Sequence, residues 1–277
     1  MDGYPFWKMS GSGNDFIFMD HREVPWKEWD LPEVARRLCR RRLSVGADGL
    51  AVLIPPRDPR HDFAWRFFNA DGSEAEMCGN ASRCAARFAL SKGLAGPVMR
   101  FETLAGPIDA EVRGQRALVG MGAPTEIRPE VAVTASGRAV SLVAVHTGVP
   151  HVVEFVEDVD AVDVVGMGRA IRHHEAFAPR GTNVNFAQVV DGRTLKVRTY
   201  ERGVEDETLA CGTGAAAAAL AAHMGGRVSA PVSVMVRSGR VLGIHFETLG
   251  EGYGPVRLEG DAMLIYEGVV RQDALAD

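Results

Sequence analysis

The sequence predicts an α+β protein built as two similar lobes, and three observations carry that prediction. Strand signals dominate the chain, helical stretches are few, and two of those helices repeat one local pattern. One repeat reads AEMCGNASRCAARFAL and the other TLACGTGAAAAALAAH. Each has Cys-Gly, a polar residue and a small residue ahead of an alanine-rich helix. Each follows a strand and a polar loop, FFNADGSEAEM in the first case and RTYERGVEDETLA in the second. A duplicated unit of this kind predicts two facing lobes whose Cys-Gly loops meet at a cleft. The boundary falls near Met121 to Pro124. The last strand is expected to return to the first lobe, because a closed duplicate often exchanges its terminal strand. The domains are then residues 1–122 with 262–277, carrying Cys78, and 123–261, carrying Cys211.

In chain order, Phe16 to Asp20 is a short apolar strand and Phe63 to Asn69 an aromatic-rich one. Val98 to Thr103, Ile108 to Arg113 and Ala117 to Met121 follow at hairpin spacing. The second half repeats the habit with Ala139 to His146, His151 to Val156, Asn183 to Val190 and Leu195 to Glu201. Val232 to Arg237 and Val241 to Glu247 flank a Ser-Gly turn, and Val256 to Glu259 with Met263 to Tyr266 bracket Gly260-Asp261. Asp30, with Pro32 and Glu33 behind it, caps a helix expected to reach about Arg42. Helices are also expected from Cys78, over part of Val162 to His173, and from Cys211 to the stop at Gly225-Gly226.

Composition narrows the function. The chain has 277 residues, 46% hydrophobic and 24% charged, with a formal net charge of -5. That balance argues against a nucleic-acid partner. The arginines at Arg36, Arg37 and Arg40 to Arg42 read as a solvated helix face. The N-terminus has neither the basic nor the apolar region of a signal peptide, and the longest apolar run, Ala215 to Ala222, is too short to span a bilayer. A cytoplasmic protein without membrane contact is expected. Four cysteines in a chain of this length are not a disulfide framework.

The chemistry is expected at Cys78 and Cys211. Unpaired N–H groups and the dipole at a helix N-terminus favour a thiolate and also bind carboxylates. Inverting a carbon stereocentre by proton transfer needs a base on one face and an acid on the other. A thiolate and a thiol meet that need and exchange roles with the direction of reaction. A thiol, with an ordinary pKa of about 8.5, needs little tuning to serve as acid or base.

KMSGSGNDF (8–16), GADGL (46–50), FNADGSEAEMCGN (68–80), GVPH (148–151), GTNVNF (181–186) and YERGVEDETLACGTG (200–214) resemble, in order, the signature blocks of the diaminopimelate epimerase family. The resemblance implies two lobes, each a β-barrel-like antiparallel sheet around a central helix. It also implies a PLP-independent epimerase that interconverts LL- and meso-diaminopimelate for lysine and peptidoglycan precursor synthesis, with no cofactor or metal and as a homodimer. By motif position Cys78 and Cys211 are the acid–base pair. Gly79, Asn80, Gly212 and Thr213 would hold the reacting α-carboxylate. Asn14, Asn69, Asn183 and Arg202 match substrate-holding positions, the last three chiefly at the distal end. Glu201 and His151 match groups that orient or tune the thiols. Two departures bear on the distal pocket: Val149 stands where the family often has asparagine, and the segment from Arg202 to Cys211 is one residue longer. A third position, Gly49, is glutamine in some relatives and has no side chain here.

Plainer uses compete for several residues. Cys39 and Cys84 follow apolar helical patterns and read as core. No C-x-x-C occurs and His173-His174 lacks a spaced partner, which disfavours zinc. Gly11-Ser12-Gly13 lacks the third glycine and the strand-to-helix context of a dinucleotide loop. His151 could be a satisfied strand histidine and Arg202 an ordinary surface arginine. Two other functions fit paired thiols. A sister racemase for proline or hydroxyproline would not need Asn69, Asn183 and Arg202 together. A redox sensor or amino-acid-binding protein would not exchange an α-proton with solvent.

Overall fold

A computed structural model describes residues 3–250 and 252–275. Its first half contains β1 (Gly3–Gly11), β2 (Asn14–Asp20), α1 (Leu31–Leu38), β3 (Gly49–Ile54), β4 (Phe63–Asn69), α2 (Gly79–Ser91), β5 (Val98–Thr103), β6 (Gly106–Arg113) and β7 (Arg116–Gly120). There follow β8 (Thr125–Ala135), β9 (Arg138–His146), β10 (Pro150–Phe155), α3 (Val164–Arg172), β11 (Asn183–Asp191), β12 (Thr194–Glu201), β13 (Asp206–Thr208) and α4 (Gly212–Met224). The chain ends with β14 (Val232–Val236), β15 (Val241–His245), β16 (Thr248–Leu249), β17 (Gly252–Tyr253), β18 (Arg257–Asp261) and β19 (Met263–Arg271). It divides into two compact units, Met1–Val119 with Gly260–Asp277, and Gly120–Glu259.

In the first unit the strands pair in the order β19-β1-β2-β3-β4-β5-β6-β7. The second unit has the order β8-β9-β10-β11-β12-β14-β15-β18. The same sequence of antiparallel and parallel pairs runs through both. The expected antiparallel sheet therefore carries two parallel pairs per unit, β2–β3 and β4–β5 in one, β10–β11 and β12–β14 in the other. A parallel pair needs a crossover, and a helix supplies each one: α1 and α2 in the first unit, α3 and α4 in the second. The cysteine helices α2 and α4 thus occupy equivalent crossovers. The place that β8 holds in the second unit belongs to the C-terminal β19 in the first.

Each sheet has a helix on both faces, which explains why its central strands read as continuous apolar runs. In β2, Ile17 and Met19 join the cluster beneath α1 with Leu31, Val34 and Leu38. The alternate residue Phe18 turns to α2, where it meets Phe88 at 5.5 Å between ring centres. In β11, Val184 and Phe186 pack beneath α3, and the alternate residues face α4. Residues Ala215 to Ala222 of α4 are all buried. Alanine is the best helix former and the smallest side chain that still fills a core, so β9 to β12, β14 and β15 all approach this helix closely. No described helix is long and apolar enough to cross a membrane.

Several local expectations change. α1 starts at its Asp30 cap, which accepts the Glu33 N–H, but stops at Leu38. Arg42 takes a left-handed φ of 70°, and Arg41 turns back to Asp15 and Asp48. The arginine run is thus partly an ion-pairing turn and not one helix face. β1, β3 and β8 were not anticipated. β1 and β3 are buried on both faces and lack alternation, while β8 is largely exposed, contains Pro129 and is irregular in its pairing. Gly11-Ser12-Gly13 is the tip of the β1–β2 hairpin. Gly11 pairs with Asn14, and Ser12 and Gly13 have φ of 57° and 108°, the left-handed pair a two-residue hairpin favours.

Candidate active site

The first unit carries Asn14, Asn69, Cys78, Gly79 and Asn80. Cys78 is the N-cap of α2, with extended backbone (φ -143°, ψ 118°), and its carbonyl accepts the Ser82 N–H at 2.8 Å. It is partly exposed. Asn80, in the first turn, is buried. Its amide donates to Asn14 Oδ1 at 2.6 Å, and Asn14 Nδ2 donates to Asp48 Oδ2 at 2.9 Å. The orientation of both amides is fixed from the far end by Arg83, whose Nη2 donates to Asn80 Oδ1 at 2.9 Å and to Ser12 Oγ at 2.8 Å. Ser12 Oγ in turn donates to Asp261 Oδ1 at 2.8 Å. Arg83 is wholly buried, and burial lowers its proton affinity.

Asp48 also receives Arg41, which grips Asp15 together with Lys8. Burial opposes ionisation of Asp15, but the Arg41 and Lys8 hydrogen bonds outweigh it and hold the carboxyl below its ordinary range. Asn69 pairs with Gly49 of β3, and the N–H of the next residue, Ala70, donates to Asp48 O at 3.1 Å. Asn69 is exposed at the end of β4, and its amide donates to Ser73 Oγ at 3.0 Å across a turn. Gly49 is small because β4 is close. A Cβ there would meet Phe68 O at 2.7 Å and the Phe67 ring at 2.8 Å, so no glutamine fits β3 as it stands.

The second unit carries His151, Asn183, Glu201, Arg202, Cys211, Gly212 and Thr213. Cys211 is the N-cap of α4 (φ -118°, ψ 109°), and its Sγ accepts the Gly214 N–H at 3.4 Å. The Thr213 hydroxyl lies 3.4 Å from the same sulfur. Thr147, beside the Gly148 to His151 block, donates to Thr213 O at 2.9 Å and ties that loop to the helix start. Asn183 is buried, donates to Pro150 O at 2.9 Å and accepts the Arg202 N–H at 2.8 Å. It therefore fixes where Arg202 leaves β12. The Arg202 side chain is partly exposed and reaches Arg180 O at 3.4 Å. Burial pushes the Glu201 carboxyl above its ordinary pKa. The longer segment after Arg202 folds into a turn with Gly203 and Glu205 at φ 95° and 58°. It returns as β13, antiparallel to β12, with Glu201 opposite Asp206.

His151 lies on β10 and is fully buried. Burial, reinforced by His146 and Arg202, drives its pKa down to about 3. Its Nδ1 receives Asn185 Nδ2 at 3.1 Å. Asp48, Arg83, Asn185 and Thr199 were not among the expected site residues. For Asn185 a signal existed, since the spacing Asn183-x-Asn185 on a strand puts both on one face. All four cysteines are thiols, and Cys39 and Cys84 are buried, which pushes both up to about 12. A surface groove lined by Asp160, Lys196, Arg198, Met235 and Arg237 contains none of these residues.

Comparison with solved structures defines the fold. The chain superposes on a hydroxyproline epimerase from Agrobacterium vitis with a TM-score of 0.67 at 18% identity, covering 98% of this chain and 93% of that one. It matches a phenazine biosynthesis protein of the PhzF family from Bacillus anthracis with a TM-score of 0.73 at 14% identity, covering 98% and 99%. The fold is thus one shared with an epimerase and with a phenazine biosynthesis protein. The diaminopimelate epimerase family model matches residues 6–127 and 143–251. Proteins named diaminopimelate epimerase are 48% identical in Aquifex aeolicus, over 98% of this chain and 99% of the relative. In Archaeoglobus fulgidus the figure is 43%, over 98% and 97%. The chain belongs to the diaminopimelate epimerase family.

Proposed function

We propose that this protein interconverts LL- and meso-diaminopimelate by a two-base proton transfer between Cys78 and Cys211. One observation carries the reading: each thiol is the N-cap of the buried helix in the equivalent crossover of its own unit. The reaction needs one group to remove the α-proton and another to deliver a proton to the opposite face. A thiolate takes the proton, the carbanion-like charge spreads into the α-carboxylate, and a thiol returns a proton from the other side. The substrate is inverted and the two sulfurs exchange protonation states.

Helix N-termini suit the charge that develops. The N–H groups at Gly79, Asn80, Gly212 and Thr213 and the two helix dipoles favour both a thiolate and a carboxylate. These groups do the stabilising, so the proposed reaction runs without PLP. Arg202, held by Asn183, supplies a cation for the distal carboxylate, a charge-assisted and potentially bidentate contact. Asn14 and Asn69 complete the substrate contacts in the first unit, and His151 and Glu201 tune the thiol side of the second. The proposal extends to a cytoplasmic homodimer acting on a free amino acid, in lysine and peptidoglycan precursor synthesis.

The test is deuterium incorporation at the α-carbons of LL-diaminopimelate in D2O, with proline and lysine as controls. Wild type should exchange and invert diaminopimelate. Cys78→Ala and Cys211→Ala should each lose inversion while keeping the wild-type circular dichroism. Full inversion by either folded variant would refute the two-base mechanism, and a preference for proline would move the protein to a sister racemase.

A further inference from the structure

On the α4 side of β11, Asn185 is completely buried and its amide is saturated in a way that reads out its orientation. Val152 O, 2.9 Å away, can only accept, so the atom facing it is the amide nitrogen. Thr199 Oγ1 donates to the oxygen from the opposite side at 2.9 Å. The second amide hydrogen then points at His151 Nδ1, 3.1 Å away. A ring nitrogen that receives an amide N–H carries no hydrogen of its own. The hydrogen of the neutral imidazole is therefore on Nε2, which is buried and has no hydrogen-bond partner among the described residues. The same Asn185 oxygen lies against the first turn of α4. A Cβ on Gly214 would come within 2.3 Å of it, and the Gly214 N–H is the one that reaches Cys211 Sγ.

We propose that Asn185 is a positioning residue that holds His151 in the neutral Nε2–H form and seats the helix start that presents Cys211. His151 then takes no part in proton exchange. The role in catalysis rests on the epimerase reading; the tautomer rests on geometry alone. The surroundings agree. The charged or titratable groups acting on the ring are His146 of β9 and Arg202 beyond β12, both of which oppose a second proton. At its end beside His151, β11 presents the amides Asn183 and Asn185, while Gln188 and Asp191 lie at its far end.

The experiment is long-range 1H–15N correlation of the histidine rings across pH 5–8, in wild type and Asn185→Asp. In wild type the His151 ring should show hydrogen on Nε2 alone and no titration in that range. A carboxylate at 185 accepts where the amide donated, so the variant ring should carry hydrogen on Nδ1 and titrate within or above the range. kcat/KM for diaminopimelate should gain a new ionisation there that wild type lacks. A wild-type ring with hydrogen on Nδ1, or one titrating near its ordinary value, would overturn the proposal whether or not the variant folds. So would a folded Asn185→Asp with an unchanged spectrum. The spectrum needs no substrate, so a protein inactive on diaminopimelate would overturn the functional reading and leave the tautomer to be decided by its own resonances.

Discussion

Gly214→Ala adds one methyl group where the structure has no room for it. Its Cβ would lie 2.3 Å from Asn185 Oδ1 and 3.2 Å from Thr199 Oγ1, when ordinary contact begins at 3.4 Å. About 1 Å of movement is needed. Asn185 cannot give without loosening its bonds to Val152, His151 and Thr199, each worth about 0.5–1.5 kcal/mol. Alanine returns about 0.5–1 kcal/mol through its better helix propensity. The net expectation is a loss of about 1–3 kcal/mol, the usual range for overpacking, read as a lower urea midpoint at unchanged slope. If α4 moves instead, Cys211 moves with it, and a displacement of about 1 Å costs roughly 100-fold in turnover. Asn185→Ala should partly relieve the clash, so the double variant should be more stable than the two single losses predict. A Gly214→Ala protein with wild-type midpoint and turnover would refute the close seating of α4 on Asn185.

Other perturbations follow from the same geometry. Arg202→Ala should lower kcat/KM for diaminopimelate by the equivalent of about 2–5 kcal/mol with little change in the unfolding midpoint, and lysine, lacking the distal carboxylate, should be a very poor substrate in both proteins. Arg83→Met should destabilise the fold by at least about 2 kcal/mol in urea unfolding, because it strands the buried acceptors of Ser12 and Asn80. His151 binds its proton near pH 3 when folded and near 6.5 when unfolded. Its contribution to stability is therefore complete above about pH 6.5 and falls as the pH drops toward 3, by up to about 1.4 kcal/mol per pH unit. His151→Gln should flatten that acid limb by one proton, and parallel limbs for variant and wild type would contradict it.

The local sequence determined much of this protein. The Cys-Gly starts, the alanine run and the glycine stop place α2 and α4 within a residue or two, because caps, propensity and left-handed glycines act over a single turn. The repeated block exposed the duplication, and the ordered motifs pointed to the family. Tertiary structure decided what spans longer distances. β1 and β3, covered on both faces, carry no alternation to read. Arg41 leaves its apparent helix for Asp15 and Asp48 because the ion pairs form across the fold. The links from Arg83 to Ser12 and from Asn185 to His151 and Gly214 join residues 29 to 71 positions apart. Period-two alternation puts Asn183 and Asn185 on one face of β11, but only the parallel pairing of β10 with β11 sets that face beside His151. Only the packing of α4 against it turns an unremarked asparagine into the support of the Cys211 turn.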